Sequence, residues 1–393
     1  MTATASTPPT PDVLIVGAGL IGLAIGWRAA GRGLQVTIVD PAPGTGASGV
    51  AAGMLAPVTE ATYNEEALLR LNLASAAAYP DFVAELTEAT GLDTGYCTSG
   101  TLLAAVDGDD LAHAAELHAF QRTLGLDVEA VDARELRRRE PMLAPGLRGG
   151  LWVAGDHHID PRRLLDALLA ACRAAGVRFV EVAAAAVASS AGRAIGVELT
   201  DGTRLSGGRV VLAAGAHTGQ LRGLPAGAFD CLRPVKGQIL RLRGPALLGH
   251  TVRGLVRGTS IYLVPRADGE VVVGATVEEQ GFDTSVTAGA GYELLRDALE
   301  LVPALSELEL TEIRAGLRPG TPDNGPLLGP AHLTDLVVAT GHYRNGVLLT
   351  PITAQAITAM LTDAEPPAVT TPFRADRFAR RSAAGGERIA VAP

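Results

Sequence analysis

Three glycines and one acid carry the first chemical signal in this chain. Gly17, Gly19 and Gly22 stand in the spacing G-x-G-x-x-G, and Asp40 follows them. In such a motif the first glycine permits a tight turn and the second lets backbone approach a pyrophosphate. The third lets a helix pack closely on a strand. Asp40 lies close to the ~20-residue offset at which an acid meets ribose hydroxyls. A carboxylate there accepts two hydroxyl hydrogen bonds and repels a 2′-phosphate, so NADP is disfavoured. The chemistry implied is the binding of a dinucleotide, with Leu20 and Ile21 between the glycines as further backbone contacts.

The elements needed to position these residues are present in register. Val13-Leu14-Ile15-Val16 reads as a buried parallel strand. Ile21, Leu23, Ala24, Ile25 and Ala29 make a mostly apolar helix, and Gln35 to Val39 forms a second strand that ends in Asp40. The helix N-terminus offers free N–H groups and a positive dipole end to a phosphate. Pro41 to Pro57 is then dominated by small residues, among them Ala47, Ser48, Ala52 and Gly53, with Met54 following them as a further cofactor candidate. Such a run lets backbone lie against a flat ligand, with Thr45 or Ser48 free to bind phosphate. A flexible surface loop is the alternative.

Two later stretches repeat the pattern of a buried strand opening into glycine. Arg209 to Thr218 ends its strand at Gly215, and Asp335 to Thr340 runs into Gly341-His342-Tyr343-Arg344-Asn345-Gly346-Val347-Leu348. Thr350-Pro351 is expected to cap and start a closing helix, Ile352 to Leu361, aimed at a ligand. The only other G-x-G-x-x-G spacing, Gly44-Gly46-Gly49, falls inside the small-residue run and does not open a second β-α-β unit, which argues against a separate NAD(P)H domain.

Composition bounds the rest. The chain has 393 residues, 47% of them hydrophobic, enough for a large core in two or three domains. A net charge of −9 and the lack of a long basic run disfavour nucleic acid and anionic membranes as partners. The apolar stretch after Asp12 carries glycines, Arg28 and Arg32, so no membrane span is expected. Cys97, Cys172 and Cys231 are odd in number and far apart. That indicates a reduced, cytoplasmic protein without a structural metal. His157 and His158 are adjacent and read as structural. Asp160 and Pro161 fit the N-cap and first position of a helix, Arg162 to Ala175.

Further helices are expected at Glu65 to Thr90, Asp110 to Leu124, Asp132 to Arg139 and Ala290 to Val302. Strands are expected at Tyr96 to Val106, Gly149 to Val153, Val177 to Val182, Ala194 to Leu199, Thr203 to Leu205 and Cys231 to Leu242. Others are expected at Ser260 to Arg266, Val271 to Thr276 and Ile313 to Pro319. The alternating antiparallel strands after Cys231 look like a different layer from the opening β-α-β unit.

Taken together, four stretches resemble the FAD-dependent D-amino-acid oxidase family. They are Asp12–Asp40 with GVAAGMLAP, RVVLAAGAHTG with PVKGQ, SIYLVPRADGEVVVGATVEEQGFD, and IRAGLRPGTPDNGPLLG with ATGHYRNGVLLTP. The likeness runs from about Asp12 to Phe378 and is strongest to the glycine-oxidase branch tied to thiamine biosynthesis. It implies an α/β fold: a doubly wound, Rossmann-like FAD-binding domain interleaved with a smaller antiparallel-sheet α+β substrate domain. The division expected is 12–83, 152–222 and 312–378 for FAD, with 84–151 and 223–311 for substrate. The tails 1–11 and 379–393 are expected to be disordered.

The resemblance also implies an activity: oxidative deamination of glycine and small amines, with O2 reduced to H2O2. FAD would be non-covalent, since the 341–346 segment has no cysteine. A homo-oligomer is implied. By position, Arg318 in GLRPG matches the arginine that grips the substrate carboxylate, and Tyr262 in IYLVPR the tyrosine that hydrogen-bonds it. Arg344 matches a second pocket arginine, although as a residue it fits a structural role equally well. A guanidinium is always charged and forks onto a carboxylate, which suits Arg318. Two other readings share these features: a D-amino-acid dehydrogenase using a non-oxygen acceptor, and a catalytically silent flavin-binding subunit.

Overall fold

The Val13–Val16 run forms the middle of a six-stranded sheet in the computed structural model, which describes residues 10–378. Val36–Val39 and Arg209–Leu212 flank it in parallel. Arg178–Val180 lies outside Val36–Val39, and Leu336–Thr340 outside Arg209–Leu212, again in parallel. Leu327–Pro330 closes one edge antiparallel. Successive side chains of a strand point to opposite faces. Val13 and Ile15 therefore pack under the helices Leu20–Ala30, Glu66–Thr90, Pro161–Ala174 and Thr350–Leu361. Leu14 and Val16 pack instead on Val187, Val197 and Leu199. Those residues belong to a three-stranded antiparallel sheet, Ala184–Ser190, Arg193–Leu199 and Arg204–Ser206. One face of the parallel sheet is thus covered by helices and the other by strands.

A second, eight-stranded sheet is built from later and intervening sequence. Its order is Glu309–Gly320, Arg233–Arg243, Glu270–Gly274, Thr259–Pro265, Thr251–Val256, Thr101–Ala105, Gly149–Val153 and Glu129–Asp132. All neighbours are antiparallel except Thr251–Val256 and Thr101–Ala105. The helix Ala288–Leu301 covers it, with Leu294, Ala298 and Leu301 in the shared core.

Several expected boundaries move for local reasons. The strand expected over Tyr96 to Val106 forms only at Thr101–Ala105. Gly100 adopts φ +83° with its α-carbon pressed against the Trp152 ring, which turns the chain before the strand begins. Thr350 is not the N-cap of the closing helix. Leu349 holds that position, and the Thr350 hydroxyl donates to the Gly346 carbonyl at 2.9 Å. Asp160 does cap its helix, accepting from the Arg162 and Arg163 N–H groups, with Pro161 first in the helix. Strands Ala184–Ser190 and Thr251–Val256 were not expected: the first is Ala-rich and of low β preference, and in the second Gly254 interrupts an otherwise β-forming run of Thr, Val and Leu. The divisions at 151/152 and 311/312 fall inside Gly149–Val153 and Glu309–Gly320, strands that belong wholly to the eight-stranded sheet. The expected disordered tails lie outside the described residues, apart from Thr10 and Pro11.

Candidate active site

Between the two large sheets lies one continuous cavity of about 910 Å³. Its first wall is the glycine turn. Gly17 adopts φ +108°, and a Cβ there would stand 2.4 Å from the Ala213 carbonyl oxygen. A Cβ on Gly22 would stand 1.9 Å from the Gly17 carbonyl oxygen. These two glycines let the helix Leu20–Ala30 sit directly on the strand end, so its N-terminus opens on the cavity at Gly19, Leu20 and Ile21. Gly22 itself is spent on this packing and does not reach the cavity wall.

Asp40 lines the cavity, but part of its accepting capacity is used internally. Its two carboxylate oxygens accept the N–H groups of Ala18 at 2.7 Å and Ala42 at 2.8 Å. Each oxygen keeps a lone pair for a ribose hydroxyl. Ser48 accepts the Leu20 N–H at 3.2 Å, tying the second wall to the glycine turn. Far from a flexible loop, Ala47–Val50 is a helical turn. Ala47, Ser48, Ala52, Gly53 and Met54 all line the cavity. Gly53 adopts φ +84°, with the Ile159 carbonyl oxygen 2.0 Å from where a Cβ would be. Buried Arg266 donates to the Ala52 carbonyl and fixes this backbone. Burial pushes the Arg266 guanidinium down to about 10, against the pull of nearby Asp160.

The third wall joins the ends of Arg209–Leu212 and Leu336–Thr340. Gly215 lines the cavity, and its carbonyl accepts the hydroxyls of Thr218 and Thr340, each at 2.9 Å. His342, Tyr343, Arg344, Gly346 and Val347 also line it. Gly341, Asn345 and Leu348 do not. Gly341 is pressed against Thr321, Asn345 is buried, and the Leu348 carbonyl faces the helix Glu66–Thr90, where Ser75 donates to it at 2.6 Å. His342 is buried and its Nε2 meets the Thr353 hydroxyl at 3.0 Å. Burial pushes its imidazole down to about 3, so it is neutral over the physiological range.

The far end of the cavity is walled by the eight-stranded sheet. Residues 314–319 line it in an unbroken run, with Gly237, Ile239 and Tyr262 beside them. The Arg318 guanidinium donates from Nη1 to the Thr276 carbonyl at 3.1 Å and the Lys236 carbonyl at 3.4 Å. A Cβ on Gly237 would lie 2.3 Å from Arg318 Nη2, and one on Gly274 would lie 2.3 Å from the Tyr262 hydroxyl. Glycine at both positions leaves room for the two polar ends. Burial raises the Tyr262 phenol and Arg318 opposes that rise, so the phenol remains a neutral donor. Arg344 is exposed at the cavity rim, with its guanidinium 5.1 Å from the Tyr343 ring centroid.

A family model described as FAD dependent oxidoreductase (DAO) matches residues 12–360. The chain belongs to that family. The glycine oxidase of Geobacillus kaustophilus is 34% identical over 369 residues, covering 93% of this chain and 97% of that protein. The crystal structure of that organism's glycine oxidase superposes with a TM-score of 0.86 at 33% identity, covering 94% of this chain and 99% of that one. The "Bifunctional protein ThiO/ThiG" of Trichormus variabilis is 33% identical over 376 residues. That match covers 95% of this chain and 56% of the bifunctional protein, so the chain spans about half the length of such relatives.

As an FAD-dependent oxidoreductase of the DAO family, the protein needs a cavity that is long, bare of side chains at one end and polar at the other. Its residues fit FAD on both counts. The Gly17–Ile21 turn with Asp40 suits the dinucleotide portion, and small residues at Ala51–Gly53 and Ala213–Ala216 leave flat walls. Sequence reasoning missed Glu60, His217, Thr284 and Arg314, which also line the cavity. His217 and Arg314 fall inside stretches quoted for the family likeness but have no spacing that singles them out, Glu60 and Thr284 lie outside those stretches, and all four reach the site through tertiary packing. His217 stacks on Phe282 with ring centroids 5.2 Å apart, linking the Gly215–Gln220 turn to the loop after Glu270–Gly274. No helix among the described residues is long and apolar enough to cross a membrane.

Proposed function

We propose that the protein oxidises glycine and other small primary or secondary amines bearing a carboxylate. The product is the imine, hydrolysed to the oxo acid, and O2 is reduced to H2O2. The observation that carries this reading is the opening of Arg318 and Tyr262 onto the same cavity as the Gly17–Gly19 turn. FAD bound non-covalently in that cavity would supply the two-electron chemistry, accepting a hydride from the carbon beside the amine. The six-stranded layer is read as the cofactor domain and the eight-stranded layer as the substrate domain.

The chain's own residues act by binding and orientation. Arg318 receives the carboxylate, since a guanidinium held by two carbonyls keeps N–H groups free for a bidentate contact. Tyr262 donates its phenol proton to the same group. Arg344 stands at the rim, where its charge draws anionic substrates inward. Neutral His342 adds no competing charge. No lining histidine, lysine or acid is required as a base if the amine is neutral when its hydride moves. The glycine oxidases among the relatives support glycine as substrate, and the ThiO/ThiG proteins support a role in thiamine thiazole synthesis.

A panel of glycine, sarcosine and D-alanine under air, with peroxide measured directly, tests the reading. Peroxide in step with amine loss supports it. Turnover with an artificial quinone but no peroxide would identify a dehydrogenase, and no turnover with any acceptor would leave a flavin-binding subunit.

A further inference from the structure

Among the described residues lining the cavity, only two are acids, Asp40 and Glu60. Asp40 is bonded to the glycine turn at the dinucleotide end. Glu60 belongs to the opposite end, close enough to Tyr262 for its charge to raise the phenol. Its carboxylate pairs at 2.9 Å with Arg253. Arg253 is buried, lies across from Tyr262 in the strand register, and does not itself line the cavity. Its Nε has no hydrogen-bond partner. Glu60 therefore stands as a screen between a buried cation and the substrate space.

The position of Glu60 is built into the fold. Buried Asp156 accepts the Val58 N–H at 3.0 Å, the Thr59 N–H at 2.7 Å and the Thr59 hydroxyl at 2.7 Å. Gln121 donates to the Val58 carbonyl at 2.9 Å. Val58 is thus held from both sides and Thr59 by Asp156, fixing the two residues before Glu60. We propose that Glu60 is a specificity-determining residue whose carboxylate is an anionic pole sharing the Tyr262 end of the cavity with Arg318. It screens Arg253, so the cavity takes amino acids with one carboxylate and rejects those with a second.

The physics is a like-charge contact in a partly desolvated space. A second carboxylate brought to Glu60 meets a negative charge, and such juxtapositions are strongly disfavoured. Neutralising Glu60 does more than remove the repulsion. It leaves Arg253 uncompensated, and a buried unpaired cation gains most from a new anionic partner. The inference rests on the reading of this cavity as an amino-acid site, and its test is chosen to separate the two.

The holoenzyme is compared with E60Q, E60D and the double variant E60Q/R253M. Acetate and malonate affinities are measured by perturbation of the flavin absorbance, and kcat/KM is measured for glycine and iminodiacetate. In E60Q the malonate-to-acetate affinity ratio and the iminodiacetate-to-glycine kcat/KM ratio should each rise at least tenfold. E60D keeps the charge and should keep the wild-type ratios, and the double variant should return toward them. Ratios that stay within twofold of wild type in flavin-loaded E60Q would overturn the inference, as would a rise in E60D equal to that in E60Q. If the wild type oxidises neither substrate while the ligand ratios shift as expected, the specificity role stands and the oxidase reading fails. If glycine is oxidised and the ratios do not move, the specificity role alone fails.

Discussion

Gly237→Ala tests the carboxylate clamp without replacing a charged residue. A Cβ at position 237 would stand 2.3 Å from Arg318 Nη2 and 2.4 Å from Cζ, where ordinary contact begins at 3.4 Å. The guanidinium must retreat by about 1.1 Å, the difference between those distances. The strand pair itself need not move, because the obstacle is the end of a flexible side chain. Displacement by ~1 Å of a group that orients substrate costs roughly 100-fold in rate, or about 2.7 kcal/mol. kcat/KM for glycine should fall by about that factor, while FAD content and Tm stay near wild type. A carboxylate-free amine should lose far less. Wild-type kcat/KM for glycine in a folded, FAD-loaded Gly237→Ala protein would refute the placement of Arg318 as the carboxylate clamp.

Other outcomes follow from the same site. Arg318→Ala removes one partner of a desolvated pair, worth about 2–5 kcal/mol, so kcat/KM for glycine should drop by roughly 30- to several-thousand-fold. Arg318→Lys should recover only part of it, and equal losses for glycine and a carboxylate-free amine would contradict the role. Asp40→Ala should weaken FAD affinity by at least about tenfold with little change in kcat at saturating FAD, since hydrogen bonds to a charged acceptor of ~1.5–3 kcal/mol each are lost; a fluorescence titration measures this. Acid precipitation should release the flavin to the supernatant, and flavin left in the pellet would indicate a covalent bond. His342 is neutral when folded, with its imidazole pushed down to about 3 by burial, against about 6.5 in an unfolded chain. As pH falls from 6.5 toward 3, the unfolded chain takes up a proton that the native state refuses, so stability declines in that window. His342→Gln should make denaturation midpoints fall less steeply with acidification than in wild type.

Legibility in the sequence tracked how local each determinant was. The Gly17–Gly22 turn, the flanking strands and Asp40 were readable because one short segment contains the whole device. Arg318 and Tyr262 were readable only through family likeness, since their partners, Thr276 and Gly274, are remote in sequence or reached through strand pairing. Gly341, Asn345 and Leu348 sit beside cavity residues in sequence yet face the core, because a turn sends neighbouring side chains in different directions. Glu60 had no signal at all. Its place depends on Asp156, which holds Val58 and Thr59, and on Arg253, both remote in sequence.

The strand Glu309–Gly320 explains how two sheets come to share one cavity. It pairs along its length with Arg233–Arg243 and so belongs to the eight-stranded sheet. Its outer half, residues 314–319, nevertheless lines the cavity. Gly316 brings this strand against Val50, where a Cβ would stand 3.1 Å from the valine side chain. Val50 closes the helical turn that begins at Ala47 and carries Ser48, whose hydroxyl accepts the Leu20 N–H. A contact chain therefore runs from the glycine turn through Ser48, Val50 and Gly316 to Arg318, two residues further along the same strand. Close-packed interiors transmit small displacements along such chains. Gly316→Ala would press on Val50, which lines the cavity and would be pushed toward the cofactor space. It should weaken FAD affinity and raise KM for glycine together, whereas Gly237→Ala should lower kcat/KM for glycine and leave FAD affinity unchanged. Measuring both constants on both variants separates a contact that joins the two ends of the cavity from one that serves only the substrate. An unchanged FAD affinity in Gly316→Ala would show that the two ends are independent.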